Sequence, residues 1–405
     1  MGEKGKIIND PVYGFISFPE PELMQLIEHP WFQRLRNIRQ MGMAYLVYPG
    51  AVHTRFHHSL GACHLMSIAL DQLKQKGVRF TEEECVAARI AILLHDVGHG
   101  PFSHALENTL VEGIPHETIS RFIMKNLQKE QGGIFEIALQ IFSNAYPTKQ
   151  YLQQLVSSQL DVDRMDYLNR DSFYTGVSEG VIGYDRILQM LTVRNEELMV
   201  EEKAVHSVEK FIIARRLMYW QVYLHKTVVG AEQLIINILK RAKEIAQNGG
   251  DLFATPALRY FLYHSVTVSD FQDPDILKLF CELDDTDVLS SIKVWQSHKD
   301  RILSELCKML VNRNLYKITL SSKPIPEIEE EAVRRTLSKT GMNERDLHYF
   351  VGKGSTSNIT YDVEDEGIFI AMKDGSVRNL SDMDDAIVNQ ALTKPVHKNY
   401  IYYIR

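Results

Sequence analysis

The segment LLHDVGHGPFSH, residues 93–104, places an imidazole and a carboxylate side by side, as His95 and Asp96. A neutral imidazole nitrogen and a carboxylate oxygen together suit a divalent metal ion. Two ligands do not complete a metal site, so the others must come from elsewhere in the chain. The candidates are His58, in the segment TRFHHSLG, and Asp163, in the segment DVDRMDY.

The helix that leads into this segment is predicted to lie in the core. Thr81 and Glu84 have the spacing of a capping box, in which each side chain bonds the other residue's backbone N–H. The run from Val86 to Leu94 is apolar on nearly all sides, which is typical of a central buried helix. Ionisable groups at its end need partners, because an unpaired charge is costly in a low-dielectric core.

The rest of the chain divides into a helical body and a smaller C-terminal region. Between about residues 20 and 310 the apolar residues recur at intervals of three and four, which predicts helices, including one long helical stretch over 205–247. After about Tyr316 the pattern changes. We therefore predict a mainly α fold, with a helical domain over 1–316 and a small α+β region over 317–405.

Within the C-terminal region, short apolar runs predict strands at 349–351, 368–372 and 400–404. A hairpin turn is expected at 373–375, where the sequence is Lys-Asp-Gly. Ser381 with Asp384 resembles a capping signal and predicts a helix over 386–392.

Composition narrows the possible functions. Among 405 residues, 45 Lys and Arg face 52 Asp and Glu, which gives a formal charge of −7 and does not favour a nucleic-acid partner. The four cysteines are widely spaced and form no CxxC pair, which argues against a disulfide framework or a thiolate zinc site. No apolar run reaches the roughly 18 residues of a membrane span, and the first ten residues lack the apolar core of a secretion signal. We therefore expect a cytoplasmic protein without a membrane partner.

The order His58, His95-Asp96, Asp163 matches the H…HD…D pattern, and on it the chain resembles the HD phosphohydrolase superfamily. The segments IINDPVYGFI, HPWFQRLRNIRQMG, YPGAVHTRFHHSLG, LLHDVGHGPFSH and LDVDRMDYLNRD resemble, in order, the deoxynucleoside triphosphate triphosphohydrolase branch. The resemblance is to the catalytic domain of the sterile-alpha-motif and HD-domain dNTP hydrolase and its bacterial homologues, and it covers roughly residues 5–310. It implies an HD-domain helical body over residues 1–316.

The resemblance implies that His58, His95, Asp96 and Asp163 hold one divalent metal ion per active site. The ligand types leave open whether this ion is Mn, Mg, Fe, Zn, Ni or Co. They also leave open whether additional Mg accompanies the nucleotide.

The resemblance also implies a set of residues that bind the phosphates and the sugar of a deoxynucleoside triphosphate: Gln40, Met41, Arg55, His104, Arg164, Tyr167, Asp171, Arg215, Tyr219 and Tyr223. Arginine suits phosphate because its guanidinium binds two oxygens at once. By resemblance, Asp171 accepts a bond from the 3′-hydroxyl and Met41 crowds the place of a ribose 2′-hydroxyl. His104 is assigned to the α-phosphate.

The reaction implied by the resemblance is attack at the α-phosphorus, which yields a deoxynucleoside and intact inorganic triphosphate. His116 matches the general acid or base, and Glu107 matches the residue that orients it. His99 serves either proton transfer or phosphate binding.

Relatives assemble as oligomers and bind activating nucleotides between subunits, so the resemblance implies a homo-oligomer, either a tetramer or a dimer. Positions that resemble activator sites are Lys6, Ile7, Asn9, Glu28, Gln33, Arg36, His225 and Lys226.

Two alternatives remain open. One is another HD phosphohydrolase activity on nucleotides, either a phosphomonoesterase or a phosphodiesterase; a cyclic-dinucleotide enzyme is disfavoured because no GYP motif follows the HD segment. The other is a non-catalytic module that binds nucleotides or nucleic acid, including single strands.

Overall fold

The computed structural model of the chain describes residues 5–102, 107, 109–322, 326–340, 343–358, 361, 367–383 and 396–404. This part of the chain is mainly α-helical, which confirms the predicted fold class of a helical body with a small α+β region. The helices are α1 (Pro21–Glu28), α2 (Pro30–Gln33), α3 (Arg55–Gln75), α4 (Glu82–Leu94), α5 (His116–Gln131), α6 (Gly133–Phe142), α7 (Tyr151–Val156), α8 (Val162–Thr175), α9 (Tyr184–Gln189), α10 (Val205–Met218), α11 (Lys226–Gln247), α12 (Pro256–Tyr263), α13 (Pro274–Phe280), α14 (Asp285–Trp295), α15 (Arg301–Val311) and α16 (Pro326–Thr340). The strands are β1 (Lys6–Asp10), β2 (Gly14–Phe18), β3 (Leu191–Arg194), β4 (Glu197–Glu201), β5 (Lys317–Ser321), β6 (Val351–Asn358), β7 (Phe369–Ala371), β8 (Val377–Asn379) and β9 (Val396–Tyr403).

Helix α4 lies at the centre of the body, as predicted. Its capping box is formed: the Glu84 N–H donates to Thr81 Oγ1 at 3.1 Å, and the Thr81 N–H donates to Glu84 Oε2 at 2.8 Å. Every side chain from Ala87 to Leu94 is buried. The helix therefore delivers its C-terminal residues into the interior of the domain, where water is scarce.

The predicted long helical stretch over 205–247 is helical for most of its length, but it is interrupted after Met218. Helix α10 ends at Met218, a π-helical turn occupies Tyr219–Tyr223, and α11 begins at Lys226. His225 has an extended backbone and caps α11 by accepting a bond from the Thr227 N–H at 3.2 Å. A side chain that bonds its own backbone competes with helical bonding, and π turns are frequent at functional sites.

Two hairpins in the body were not predicted. Strands β1 and β2 pair antiparallel at the N-terminal end, and β3 pairs antiparallel with β4. Strand β4 also pairs in parallel with β7, so one four-stranded sheet, in the order β3-β4-β7-β8, joins the body to the C-terminal region.

The C-terminal region follows the predicted pattern in part. The hairpin turn at 373–375 is present between β7 and β8, with Gly375 at φ +90°. The strand predicted at 349–351 begins only at Val351, because residues 344–349 form a 3-10 helix. Asp384 and the helix predicted over 386–392 lie outside the described residues.

A second sheet, in the order β5-β9-β6, is fixed to helix α11 by a buried polar contact. The amide of Asn237 donates to the Tyr349 carbonyl at 3.0 Å and lies 3.3 Å from the hydroxyls of Tyr316 and Tyr402. Among the helices that the structure describes, none is long and apolar enough to span a membrane.

Candidate active site

Four predicted metal ligands come from three helices that pack together. His58 lies in the first turn of α3, His95 and Asp96 follow the end of α4, and Asp163 lies in the first turn of α8. Asp161 is the N-cap of α8, and its side-chain carboxylate accepts a bond from the Arg164 backbone N–H at 2.7 Å. This cap fixes the start of α8 and so the direction of the Asp163 side chain.

The ligand atoms of His58, His95 and Asp163 converge on one point, and Asp96 lies beside them in a second group with His99 and His116 that could also hold a metal ion. His58 Nε2 lies 3.3 Å from His95 Nε2, and Asp163 Oδ1 lies 3.1 Å from the former and 3.5 Å from the latter. Asp96 Oδ1 lies 3.3 Å from His95 Nε2. Nitrogen and oxygen atoms at these separations can share a single cation.

The outer partners of both imidazoles fix their tautomers. His58 Nδ1 bonds Asp166 Oδ2 at 2.7 Å, and His95 Nδ1 bonds the Ile92 carbonyl at 2.6 Å. Since both partners are acceptors, each Nδ1 carries a proton, and Nε2 is the nitrogen of each ring that is left to take a second proton or a metal ion. Two Nε2 atoms and two carboxylates directed at one another need positive charge between them, so this donor set fits a divalent metal ion.

The electrostatics of the centre favour positive charge. Burial by itself lowers the pKa of His58, but hydrogen bonds with Asp163 and Asp166 raise it to about 10. Burial by itself would raise the pKa of Asp96, but His95 and Arg55 hold it well below its usual range. The field that favours a proton on the imidazole also favours a metal ion.

A buried network of ion pairs holds Asp166, the residue that bonds His58 Nδ1. Arg170 donates to both oxygens of Asp166 at 2.9 Å and to Asp10 Oδ2 at 2.7 Å, so β1 is tied to α8. Gly61 of α3 permits this approach, because a Cβ there would collide with Arg170 and Asp166. Replacing one member of such a buried network leaves an uncompensated charge, which typically costs about 3–5 kcal/mol.

A second group of side chains shares Asp96 with the metal ligands. Asp96 Oδ1 lies 3.3 Å from His99 Nε2, and the His99 ring stacks on the His116 ring with centroids 3.6 Å apart. His116 Nδ1 bonds Glu107 Oε1 at 3.0 Å. The predicted acid or base and its predicted orienting partner are therefore in direct contact.

The first turns of α5 are hydrogen-bonded to the segment that contains His95 and Gly98. Ser120 Oγ donates to the His95 carbonyl at 2.8 Å and accepts from the Gly98 N–H at 2.9 Å. Gly98 has no room for a side chain, since a Cβ there would collide with the His116 carbonyl and the Ser120 nitrogen. This contact sets the position of the His116 ring relative to Asp96.

A cavity of about 380 Å³ opens beside the metal ligands. Seven of the ten residues predicted to bind substrate line it, namely Gln40, Met41, Arg55, Tyr167, Asp171, Tyr219 and Tyr223. Arg55 links the cavity to the metal ligands, because its guanidinium also bonds Asp96. The Tyr167 ring lies 6.4 Å from the rings of both His58 and Tyr223, so it stands between the two parts of the site.

The carboxylate of Asp171 is held at both oxygens. His53 Nε2 bonds Oδ1 at 2.7 Å, and the Tyr223 hydroxyl donates to Oδ2 at 2.7 Å. His53 is fully buried and stacks on Tyr174 with ring centroids 4.4 Å apart. These contacts fix the orientation of Asp171 at the cavity wall.

Two further predicted phosphate ligands, Arg164 and Arg215, are not part of the lining of this cavity. The Arg164 guanidinium bonds Asp161 and the Ser158 carbonyl, and Arg215 Nη1 lies 3.4 Å from Gln159 Oε1. A further cavity of about 350 Å³ is lined by residues that include His95, Asp163, His116 and Arg121. His104 lies outside the described residues.

The residues predicted to bind an activator lie at the surface, in small groups. Lys6 Nζ pairs with Glu28 Oε1 at 3.1 Å, and Arg36 Nε donates to Gln33 Oε1 at 2.7 Å. The others are Ile7, which is 64% exposed, together with Asn9, His225 and Lys226. Their role stays a prediction.

Comparison with known proteins decides the family. The HD domain model matches residues 55–171, which contain all four predicted metal ligands, and the model of the HD-associated region matches residues 182–253. The protein YwfO of Bacillus subtilis is 32% identical over 98% of this chain and 92% of its own length. The chain belongs to the HD-domain family.

Two further proteins of known activity class extend the likeness. A phosphohydrolase of Bacteroides thetaiotaomicron, known from its crystal structure, is 48% identical, with a TM-score of 0.95 over 99% of this chain and all of that one. The human deoxynucleoside triphosphate triphosphohydrolase SAMHD1 is 27% identical over 80% of this chain and 56% of its own length. These likenesses support a hydrolase, in keeping with His and Asp groups that could hold a metal ion.

Sequence reasoning missed several residues of this HD-domain site. Asp166 and Arg170 follow Asp163 at helical spacing within the quoted segment, so a signal for them existed. His53 lies in the quoted segment around His58, but nothing in the sequence pairs it with Asp171. Three further residues of the cavity wall had no usable signal: Glu232, Thr356 and Ser357.

Proposed function

We propose that this HD-domain protein hydrolyses deoxynucleoside triphosphates to a deoxynucleoside and inorganic triphosphate. The observation that carries the proposal is the junction at Arg55, which lines the cavity and bonds the metal ligand Asp96. A cation at that junction suits an α-phosphate between a sugar in the cavity and a metal ion at the HD centre. The identity with dNTP triphosphohydrolases supports the same substrate class.

The cavity wall has the chemistry expected of a deoxyribose site. The Asp171 carboxylate, fixed by two donors, has lone pairs left to accept a bond from a 3′-hydroxyl. Met41 is apolar and nearly fully buried, so a ribose 2′-hydroxyl beside it would lose its water without gaining a partner. Within the described part of the chain, the buried amide oxygen of Gln40 has no hydrogen-bond partner, which suits a polar group of the ligand.

In the proposed reaction, a water oxygen bonds the α-phosphorus, the bond from phosphorus to O5′ breaks, and O5′ takes up a proton. A divalent metal ion held by His58, His95, Asp96 and Asp163 would neutralise phosphate charge and acidify water. Arg55 neutralises further charge at the α-phosphate.

The imidazole of His116 supplies the proton that O5′ takes up in the proposed reaction. Its Nδ1 is bonded to Glu107, so Nε2 is the nitrogen that delivers a proton to O5′. Burial, and the nearby Arg55 charge, lower the pKa of His99 well below its usual value, so His99 stays neutral. A neutral ring stacked on His116 orients it without competing for the proton.

Product analysis tests this function. The wild-type protein is incubated with manganese and each dNTP or NTP, and with a mixture of the four dNTPs, and the products are separated by anion exchange. We expect triphosphate and deoxynucleoside from dNTPs, none from His95→Ala or Asp96→Ala, and wild-type rates from His264→Ala, whose histidine is exposed. Release of monophosphate or diphosphate would assign another phosphohydrolase reaction, and binding without turnover would favour the nucleotide-binding module.

Nucleotide activation and assembly into a dimer or tetramer are proposed from the resemblance alone. We expect GTP or a second dNTP to increase the rate and to shift the mass measured by light scattering. A rate that is linear in substrate and unchanged by any added nucleotide would contradict activation.

A further inference from the structure

The C-terminal sheet forms part of the wall of the cavity. Thr356 and Ser357, near the end of β6, line it together with the body residues. In the sheet register, Thr356 pairs with Lys398, whose Nζ lies 3.9 Å from the ring centroid of Trp220. Trp220 belongs to the π-helical turn that carries Tyr219 and Tyr223. The strand is therefore fastened to the same turn that supplies the aromatic side of the cavity.

Arg55 and Glu232 line the same cavity from different elements. Arg55 marks the part of the wall next to the metal ligands, through its bond to Asp96. The wall also includes Tyr223, in the π-helical turn, and Val228 and Glu232 on α11, which are four residues or about 6 Å apart along the helix. Glu232 therefore belongs to the part of the wall that α11 supplies.

Glu232 lies near the C-terminal sheet. Burial raises the pKa of the Tyr400 hydroxyl, and the charge of Glu232 raises it further. Tyr400 is opposite Gly354 in the pairing of β9 with β6, and Thr356 is two residues further along β6. A carboxylate and two hydroxyl residues thus line the same cavity as Asp171 and Tyr223.

We propose that Glu232, Thr356 and Ser357 bind the nucleobase and make guanine the preferred base. The proposal rests on the proposed function, because that function places the sugar against Asp171 and Tyr223 and leaves the wall formed by Glu232, Thr356 and Ser357 for the base. It gives the C-terminal region a direct role in substrate recognition.

The chemistry of the bases sets the expected order. Guanine presents two adjacent donors, N1–H and the N2 amino group, which match the two acceptor oxygens of a carboxylate. Adenine and cytosine present one amino donor beside an acceptor nitrogen. Thymine presents N3–H between two carbonyl oxygens, which repel a carboxylate. Hydroxyls on β6 can donate to guanine O6. We therefore expect guanine first and thymine last.

Internal competition measures the preference. The protein, loaded with manganese, receives equal concentrations of dGTP, dATP, dCTP and TTP, and the relative rates of loss give the ratios of kcat/KM. Equilibrium binding of each dNTP is measured in parallel. The variants are Glu232→Gln and the double variant Thr356→Val with Ser357→Ala. Ser355→Ala, on the same strand but absent from the cavity wall, is the matched control.

For the wild type we expect a dGTP to TTP ratio of about tenfold or more, as one hydrogen bond to a charged group provides. Glu232→Gln should lower this ratio about tenfold, because an amide offers one acceptor and one donor. The double variant should lower it severalfold, and Ser355→Ala should leave it unchanged. Thermal melting of each variant identifies misfolding, and the ratio is independent of the fraction folded.

Three outcomes separate the two proposals. A four-base profile that is identical in wild type, Glu232→Gln and the double variant would overturn the base assignment while the reaction stands. Binding of dNTPs without release of triphosphate would overturn the reaction, and the binding ratios would then decide the base assignment. A wild-type protein that binds none of the four dNTPs would overturn both.

Discussion

Two groups of side chains share Asp96, and they differ in the residues that bond their imidazole Nδ1 atoms. In the group formed with His58 and His95, acceptors of the protein bond both Nδ1 atoms, so both Nε2 atoms face the centre of the group. In the group formed with His99 and His116, only His116 has such a partner, and His99 Nδ1 has none within the described part of the chain. Identical residue types thus acquire different chemistry from the atoms behind them.

The electrostatics of the two groups differ in the same direction. Hydrogen bonds with carboxylates, acting against burial, raise the pKa of His58 to about 10. Burial, reinforced by the Arg55 charge, lowers the pKa of His99 well below its usual value. The first group therefore attracts a cation. The donor atoms of Asp96, His99 and His116 also lie close enough together to hold one, but the neutral His99 ring and the bond of His116 to Glu107 suit the second group to proton handling and substrate contact.

The largest effect is expected from breaking the first group. Asp163→Asn removes an anionic ligand that lies within 3.5 Å of both imidazoles, so metal should fall to background and turnover below detection. Elemental analysis of the purified protein, alongside the dNTP assay, measures both. Full metal content in this variant would remove Asp163 from the ligand set.

Breaking the second group should give a smaller loss of a different kind. His116→Gln removes the proton donor, and kcat should fall by about 10²- to 10⁴-fold while metal content stays at the wild-type level. Lys125→Ala, at an exposed position of the same helix α5, is the control and should keep kcat. Loss of metal from His116→Gln would show that the two groups form one metal site.

The next prediction concerns Asp166, whose carboxylate bonds His58 Nδ1, and the metal affinity of the first group. Asp166→Asn removes the charge that orients His58 Nδ1–H, and metal affinity should weaken about 10- to 100-fold. A chelator titration measures the affinity, with Asp71→Asn on the exposed face of α3 as control. The prediction fails if the affinity of Asp166→Asn equals that of this control.

The smallest effect is expected at the N-terminal end of α4, the helix that carries His95 and Asp96 at its other end. Thr81→Ala removes the N-cap of α4 and should cost about 0.5–2 kcal/mol in the free energy of unfolding. The cap is at the opposite end of the helix, so metal content and kcat should not change. Urea denaturation with parallel activity assays measures both quantities.

The sequence predicted the fold class, the central helix and the pair His95-Asp96 because those signals are local, whereas His58 and Asp163 were joined to that pair by the resemblance to the HD superfamily. His95 and Asp96 are adjacent, α4 carries its own capping box, and helical spacing places Tyr167 and Asp171 on one face. The contact of His116 with Glu107 spans only nine residues.

The remaining features depend on tertiary contacts that leave no periodic signal. The bond between His53 and Asp171 joins positions 118 residues apart. The π-helical turn at Tyr219–Tyr223 interrupts a sequence whose apolar spacing is that of a continuous helix. Thr356 and Ser357 reach the cavity only because β6 pairs with β9 and the sheet packs on α11, and hydroxyl residues in a strand give no warning of such a role.

The composition of the cavity wall constrains the order of events during synthesis. The metal ligands lie between residues 58 and 163, so the ribosome releases all of them early. The wall also needs Thr356 and Ser357, and their strand β6 is held by β9, which ends at Tyr403. At about 5–20 residues per second, some tens of seconds or less separate the two stages. All four predicted metal ligands are therefore synthesised before the residues that complete the nucleotide pocket, and a chain that ends prematurely would lack part of the wall that holds the substrate.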